Sequence, residues 1–260
     1  IEAKSAPLMD ADQNQIGSLV VFNDVTQLRR LENMRRDFVA NVSHEIKTPL
    51  TAIKGFVETL QQGKVDKAEE NQRFLGIIQK HVDRLNSIIE DLLALSRIEQ
   101  EDERKEIDFL QVKIEDTFTA AIQLCRPKAE EKKIRIDLDC EKDATAIFDP
   151  TLIEQAVVNL LDNALKYSEP QSTVLLKSHR QNSELVISVQ DHGIGIAQKH
   201  LPRLFERFYR VDKARSRNMG GTGLGLAIVK HIAQAHDGYV EVESELGEGS
   251  RFSIHLPQNN

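Results

Sequence analysis

The stretch from Phe38 to Leu50 reads FVANVSHEIKTPL and continues an apolar stripe with steps of three or four residues. That spacing is typical of an amphipathic helix. The apolar members of the stripe are Leu28, Leu31, Phe38, Val42, Ile46, Leu50, Ile53, Val57 and Leu60. A second stripe of this kind runs from Phe74 to Leu95, and the polar segment between the two carries Gly63. The sequence therefore predicts two long helices joined by a short turn.

A single helical hairpin cannot cover both of its apolar stripes. We therefore expect two copies to dimerise into a four-helix bundle. The alternative is a monomeric hairpin that packs on a neighbouring domain of its own chain.

Within the opening stretch, His44 lies on the polar flank of the predicted helix, just beyond Val42. A neutral imidazole is a competent nucleophile near pH 7. Glu45 is placed to accept its proton as a general base, and Thr48 lies one helical turn further along the same face. Pro49 removes a helical hydrogen bond and predicts a kink. The alternative is a surface histidine beside an unrelated proline.

Outside the hairpin, the pattern changes twice. Residues 1–25 include a predicted strand over 17–22 and resemble the end of a β-rich domain. Residues 101–106 lie in a charged run that predicts a linker. Strands are predicted at 134–138, 144–149, 173–178, 184–190, 239–243 and 251–256. Helices are predicted at 152–166 and 224–235. This alternation indicates a mixed sheet with helices on one face.

Composition narrows the class of protein. The 260 residues are 40% hydrophobic and 29% charged, which suits two compact domains. The net charge of −7 argues against nucleic-acid binding. Cys125 and Cys140 show no metal-ligand spacing, and no apolar run approaches the length of a membrane span. Because the chain starts at Ile1, we expect it to be part of a longer protein.

The predicted helix over 152–166 carries a polar face. Asn159, Asn163 and Lys166 fall at positions i, i+4 and i+7, away from the apolar side. Amide oxygens suit Mg²⁺, a lysine can neutralise phosphate charge, and the neighbouring Tyr167 can stack on a base. Ordinary surface amides on a half-exposed helix explain this segment equally well.

Two glycine-containing segments follow. Asp191, Gly193 and Gly195 come directly after a strand, where a carboxylate can accept a hydrogen bond from an adenine amino group. The run GGTGLGL over 220–226 opens a helix, where backbone N–H groups can approach phosphates. Its residues of interest are Gly221, Thr222, Gly223, Leu224 and Gly225. It matches neither a Walker A loop nor G-x-G-x-x-G.

A lid is predicted between these two segments. Phe205 and Phe208 would anchor it, Arg210 would reach a terminal phosphate, and residues 213–218 would stay flexible. The segment Gly247 to Ser250 predicts a hairpin turn rather than a ligand contact.

The run SHEIKTPL over 43–50 resembles the phosphoacceptor box of sensor histidine kinases. The later segments, in their order along the chain, resemble the ATP-binding domain that these kinases share with gyrase, the mismatch-repair ATPases and a heat-shock chaperone. The resemblance covers Thr26 to Pro257. It implies an α+β protein with a dimerising phosphotransfer hairpin over 26–100 and an α/β sandwich ATP-binding domain over 107–258.

This resemblance also implies roles for individual residues. His44 would be the phosphoacceptor, Glu45 its general base, and Thr48 the residue that orients a water for phosphatase activity. Asn163 would be the Mg²⁺ ligand with Asn159 assisting, while Asp191 reads adenine beside Tyr167. Lys166, Arg210 and the loop 221–225 would meet the phosphates of ATP. The related ATPases carry a general-base Glu where this chain has Asn159, so water activation should be poor.

The implied partners are a second copy of the chain and the receiver domain of a response regulator, with no nucleic acid. The resemblance further implies that the chain is the cytoplasmic portion of an inner-membrane sensor. It would be attached to the membrane only through a part that lies N-terminal to residue 1. Residues 22–26 resemble the exit from a PAS domain, and residues 31–38 resemble the phosphate-regulon sensor kinases. Two alternatives are a gyrase-type ATPase and a non-catalytic dimer scaffold.

Overall fold

The computed structural model describes residues 1–9, 11–12, 15–62, 68–99, 107–212 and 221–258. They divide into two compact units, 1–51 and 52–260, which are described separately. The predicted turn around Gly63, the linker 101–106 and the flexible lid segment 213–218 lie wholly or mostly outside the described residues.

The first unit opens with an antiparallel strand pair. β1 (Glu2–Met9) pairs with β2 (Gln15–Asn23), so that Glu2 lies opposite Asn23. The prediction found part of β2 and missed β1. Asp24 lies two residues before Thr26, the first residue of the helix that follows. Hydrogen bonds from the Thr26 hydroxyl and from the Thr26 N–H, the latter to Asp24 Oδ1 at 2.9 Å, lower the pKa of Asp24.

Helices α1 (Thr26–Gln61) and α2 (Ala68–Glu99) confirm the two predicted long helices. The rings of Phe56 and Phe74, one from each helix, lie 5.3 Å apart between centroids. Within the described part of the chain, no helix combines the length and apolarity that crossing a membrane requires.

Leu50, a member of the predicted apolar stripe of α1, is 56% exposed in the single chain, whereas its neighbour Pro49 is buried. The reason is geometric. Each residue turns the helix by about 100°, so three successive steps of four carry Leu50 about 120° away from Phe38. Pro49 lies only about 20° from Phe38 and takes the inward position. Helix α1 continues through Pro49, and the predicted kink there stays a prediction.

The second unit contains the predicted α/β domain. Its strands are β3 (Leu110–Lys113), β4 (Arg135–Asp139), β5 (Thr145–Phe148), β6 (Thr173–Gln181), β7 (Glu184–Asp191), β8 (Tyr239–Glu245) and β9 (Gly249–Pro257). Its helices are α3 (Ile114–Lys132), α4 (Pro150–Tyr167) and α5 (Gly225–Ala235), with a short 3-10 helix over Gln198–Arg203. Helix α3 and strand β3 were not predicted.

A five-stranded sheet of order β4-β6-β7-β9-β8 forms the base of this domain. β4 and β6 are parallel and the other neighbours are antiparallel, so the predicted mixed sheet is confirmed. Alternate positions such as Leu176, Ile187 and Ile254 are fully buried on the face that the helices cover. Strands β3 and β5 form a separate antiparallel pair.

The ends of the helices are fixed by side-chain hydrogen bonds. Asp149 caps α4, its Oδ1 accepting from the N–H groups of Thr151 and Leu152 at 2.9 and 3.1 Å. The buried His236, next to the end of α5, accepts from the Asp149 N–H at 3.0 Å and bonds the Ile232 carbonyl at 2.8 Å. Burial lowers the pKa of His236, which suits this neutral tautomer. The end of α5 is thereby tied to the start of α4.

Candidate nucleotide site and phosphoacceptor

The polar face of α4 carries three of the predicted site residues. Asn159, Asn163 and Lys166 are all half-buried. The start of α5 lies against the first of them, because a Cβ added to Gly225 would come within 3.0 Å of Asn159 Oδ1. A glycine at this position therefore allows the predicted phosphate-binding helix terminus to approach the predicted metal-ligating amides.

The glycine loop (residues 221–225, with Gly220 outside the described residues) is held by the segment before it. The Phe208 N–H donates to the Gly223 carbonyl at 2.8 Å, and Arg210 Nη2 donates to the Thr222 carbonyl at 2.6 Å. Gly223 has a φ of +81°, a conformation that glycine adopts without strain. The structure thus brings Arg210 directly to the loop with which the sequence associates it.

Asp191, at the end of β7, lies at the predicted base-binding end of the site. Its Oδ1 accepts from the Gly193 N–H at 2.8 Å. Burial raises the pKa of Asp191, and hydrogen bonds from the backbone of Gly193 and Ser250 oppose that rise. A Cβ at Gly193 would overlap the Tyr167 carbonyl oxygen. Asp191, Gly193 and the backbone of Tyr167 are therefore in one place, as a base pocket requires.

Lys166 shows the electrostatic character of the site. Burial lowers the pKa of Lys166 to about 8, with further lowering by the charges of Arg210 and Arg84, while Asp162 opposes them. Its ammonium group lies 5.8 Å from the centroid of the Tyr167 ring. Cations gathered in a half-buried place suit an anionic ligand, whose charge would relieve their mutual repulsion.

The predicted phosphoacceptor region belongs to the first unit. His44 is exposed on α1, Glu45 beside it is half-buried, and Thr48 is exposed one turn along. The Thr48 hydroxyl donates to the His44 carbonyl at 3.0 Å. An exposed imidazole can be reached by a second domain, which a histidine that accepts a phosphoryl group requires.

Two protein families match consecutive parts of the chain. Residues 34–101 match the His kinase A (phospho-acceptor) domain. Residues 148–260 match the histidine kinase-, DNA gyrase B- and HSP90-like ATPase family. The first match contains His44, and the second contains the polar face of α4, Asp191 and the glycine loop.

The phosphate regulon sensor protein PhoR of Pseudomonas aeruginosa is 39% identical over 239 residues, which is 92% of this chain. This chain belongs to the sensor histidine kinase family. The alignment covers 53% of the PhoR protein, and the chain spans about half the length of the curated relatives it matches. The similarity to PhoR fits the subfamily that residues 31–38 indicate.

Two solved structures resemble this histidine kinase. ShkA in complex with AMPPNP is 29% identical with a TM-score of 0.63, over 86% of this chain and 46% of that one. ThkA in complex with the response regulator protein TrrA has a TM-score of 0.70 over 99% of this chain and 75% of that one. At 22% identity, the ThkA likeness shows the fold alone.

The structure describes the residues that the sequence predicts as a lid anchor. Phe205 packs edge-on to Phe252 of the sheet, with ring centroids 6.3 Å apart. Phe208 adopts a φ of +62° where its N–H meets the glycine loop. Tyr209 is held by a 2.7 Å hydrogen bond between its hydroxyl and His200 and by the guanidinium of Arg203 at 4.4 Å from its ring. These contacts fix the chain that leads into the undescribed segment.

Sequence reasoning missed two groups near this site. The turn between β8 and β9 was predicted only as a turn, yet a Cβ at Gly249 would overlap the Asp191 carbonyl and the Ser250 backbone hydrogen-bonds Asp191. On α2, Arg84 and Asp91 interact with Lys166 and Thr222, respectively. The available signal for both α2 residues was a charge at a position within an otherwise apolar stripe.

Proposed function

We propose that this chain uses ATP to phosphorylate His44 and then passes the phosphoryl group to an aspartate on the receiver domain of a response regulator. The observation that carries the proposal is an exposed histidine in a phosphoacceptor domain, joined in one chain to a cation-lined site in an ATPase domain. ShkA, whose solved structure is a complex with AMPPNP, supports the nucleotide substrate.

ATP binding would use both ends of the site. The Asp191 carboxylate would accept from the adenine amino group, with Gly193 and Gly195 allowing the ring to approach the backbone. Lys166, Arg210 and the N–H groups of residues 221–225 would bind the phosphates. Positioning and charge neutralisation of this kind supply most of the rate in phosphoryl transfer.

The residues present fit a Mg²⁺ ion. Asn163 and Asn159 offer neutral hard oxygens on one helix face, and Gly225 leaves room beside Asn159. We assign Asn163 as the ligand and Asn159 as its assistant. When bound, the ion would neutralise phosphate charge.

In the transfer step, an imidazole nitrogen of His44 attacks the γ-phosphorus in line with the leaving ADP oxygen. A P–N bond forms as the P–O bond breaks, and Glu45 takes the imidazole proton. Thr48 would orient a water for the opposing phosphatase activity, which removes the phosphoryl group from the regulator. Its hydroxyl proton is engaged with the His44 carbonyl, so the oxygen acts as an acceptor unless that bond opens.

The second candidate function is that of a gyrase-type ATPase, and the presence of Asn159 argues against it. That position would hold the general-base Glu of a water-activating enzyme, and an amide cannot take a proton from water. The resemblance to sensor histidine kinases further supports a homodimer that works on the cytoplasmic side of a membrane sensor. Residues 1–25 would be the C-terminal end of a PAS-like domain.

The test is incorporation of γ-³²P from ATP into purified protein. His44→Ala should abolish labelling while nucleotide binding persists, because the acceptor alone is lost. His81→Ala, on α2, is the matched control and should label as wild type does. Asn163→Ala should instead lose Mg²⁺-dependent nucleotide binding together with labelling. Undiminished labelling of His44→Ala would refute the proposal.

A further inference from the structure

One face of α2 lies against the nucleotide site. Helix α2 contacts α5, and Ile88 and Leu95 on α2 are 0% and 1% exposed. Asp91 lies three residues after Ile88 and four before Leu95, so it shares their helix face. A half-buried carboxylate is thus placed in an apolar seam.

The carboxylate of Asp91 reaches the glycine loop. It accepts a hydrogen bond from the side chain of Thr222. The Thr222 hydroxyl itself accepts from the Leu224 N–H at 3.2 Å, so its only proton is directed to Asp91. Burial raises the pKa of Asp91, and the negative charges of Glu90 and Asp162 raise it further. Negative charge therefore stands beside the N–H groups that would bind phosphate.

The same helix face carries a cation toward the other side of the site. Arg84, two turns before Asp91, adds to the lowering of the pKa of Lys166. Helix α2 thus contributes a positive charge near Lys166 and a negative charge at Thr222. Nothing in the phosphotransfer step requires the negative charge at Thr222.

We propose that Asp91 is a specificity-determining residue of the nucleotide site, whose charge weakens binding of ATP more than binding of ADP. The inference rests on the proposed function. The terminal phosphate of ATP adds negative charge to the ligand, and like charges repel strongly where water is partly excluded. Because coupling is reciprocal, bound ATP also weakens the hold of α2 on the glycine loop. Helix α2 therefore separates from the loop more readily with ATP than with ADP.

The competing explanation is that Asp91 only fills a polar gap in the seam. Asp91→Asn separates the two, because asparagine keeps the acceptor oxygen and the shape while losing the charge. Glu90→Gln removes the same charge from the adjacent, exposed residue and is the matched control.

The experiment titrates Mg²⁺-AMPPNP and Mg²⁺-ADP against wild type, Asp91→Asn and Glu90→Gln by calorimetry. Asp91→Asn should bind the ATP analogue about three- to tenfold more tightly and ADP by a smaller factor. Raising the salt concentration should shrink the difference between wild type and Asp91→Asn. Glu90→Gln should bind both nucleotides as wild type does. Asp91→Ser serves as a second uncharged variant should Asp91→Asn fold poorly.

Each other outcome has a definite meaning. Equal tightening for both nucleotides, or no change in either, overturns the inference. An equal effect of Glu90→Gln also overturns it, since a general charge effect would then suffice. Wild type that binds neither nucleotide refutes the proposed function instead.

Discussion

Lys166 gives the nucleotide site a pH dependence of its own. Its pKa is about 8 in the structure, so the ammonium form predominates below that pH and is lost above it. A bound phosphate favours the charged form and raises the pKa of Lys166. Nucleotide binding above pH 8 must therefore take up a proton. We expect affinity for Mg²⁺-ADP to be flat up to about pH 7.5 and to fall by up to about tenfold per pH unit above 8.

Calorimetric titrations at pH 7, 8 and 9 check this expectation. Lys166→Met should bind weakly with no such fall, because it has no proton to lose. Lys166→Arg should retain its affinity at pH 9, since guanidinium stays charged. A wild-type affinity that does not change between pH 7 and 9 would contradict the assignment of Lys166 to the phosphates.

Individual site residues could be predicted where a local pattern marks them. Asn159, Asn163 and Lys166 share a helix face by spacing alone, and Gly193 follows Asp191 within a short turn. For Asp91 the sequence offers only a charge within an apolar stripe, which does not identify its contact, because a carboxylate within an amphipathic helix usually faces water. Only the packing of α2 on α5 shows that it meets Thr222.

Among the elements, helix α3 was missed for a physical reason. After Phe118 its buried face consists of small residues, Ala121, Cys125 and Ala129, and Pro127 stands inside it. Small side chains give a weak apolar signal, and proline normally argues against a helix interior. The strands of the five-stranded sheet were predicted individually because they carry β-branched residues between clear turn signals, whereas the strand predicted at 144–149 pairs with β3 outside that sheet.

Helix α3 also stabilises the helix that carries the site. Lys132 Nζ donates to the Leu165 and Lys166 carbonyls at 2.7 and 2.9 Å, at the C-terminal end of α4. Carbonyls there have no helical partners and carry partial negative charge. We expect Lys132→Met to lower the free energy of unfolding by about 1–2 kcal/mol.

Urea unfolding followed by circular dichroism measures this change. Lys133→Met is the control, since Lys133 is exposed and the substitution keeps an unbranched side chain at its φ of +56°. Unfolding of both variants at the same urea concentration would show that the two hydrogen bonds contribute nothing.

For the chain as a whole, the exposed surface of α2 indicates a partner. Leu75, Val82, Ile89 and Leu93 are 56%, 37%, 48% and 54% exposed, respectively. Their spacing of seven, seven and four residues forms one continuous seam, as in helices that pair. The partly buried positions 74, 78 and 85, together with the fully buried Ile88, form a second seam on the same helix. A helix with two apolar seams suits a four-helix bundle in which one of them meets a second copy.

We therefore expect a dimer whose stability depends on this exposed seam. Val82→Glu combined with Ile89→Glu should give a monomer in sedimentation equilibrium, because dimerisation would bury two carboxylates without partners. Gln72→Glu combined with Asn86→Glu adds the same charge at exposed polar positions and should remain dimeric. Circular dichroism would show that both pairs keep their helices. If Val82→Glu/Ile89→Glu stays as dimeric as the control, the seam does not hold the two copies together and the interface lies on another surface.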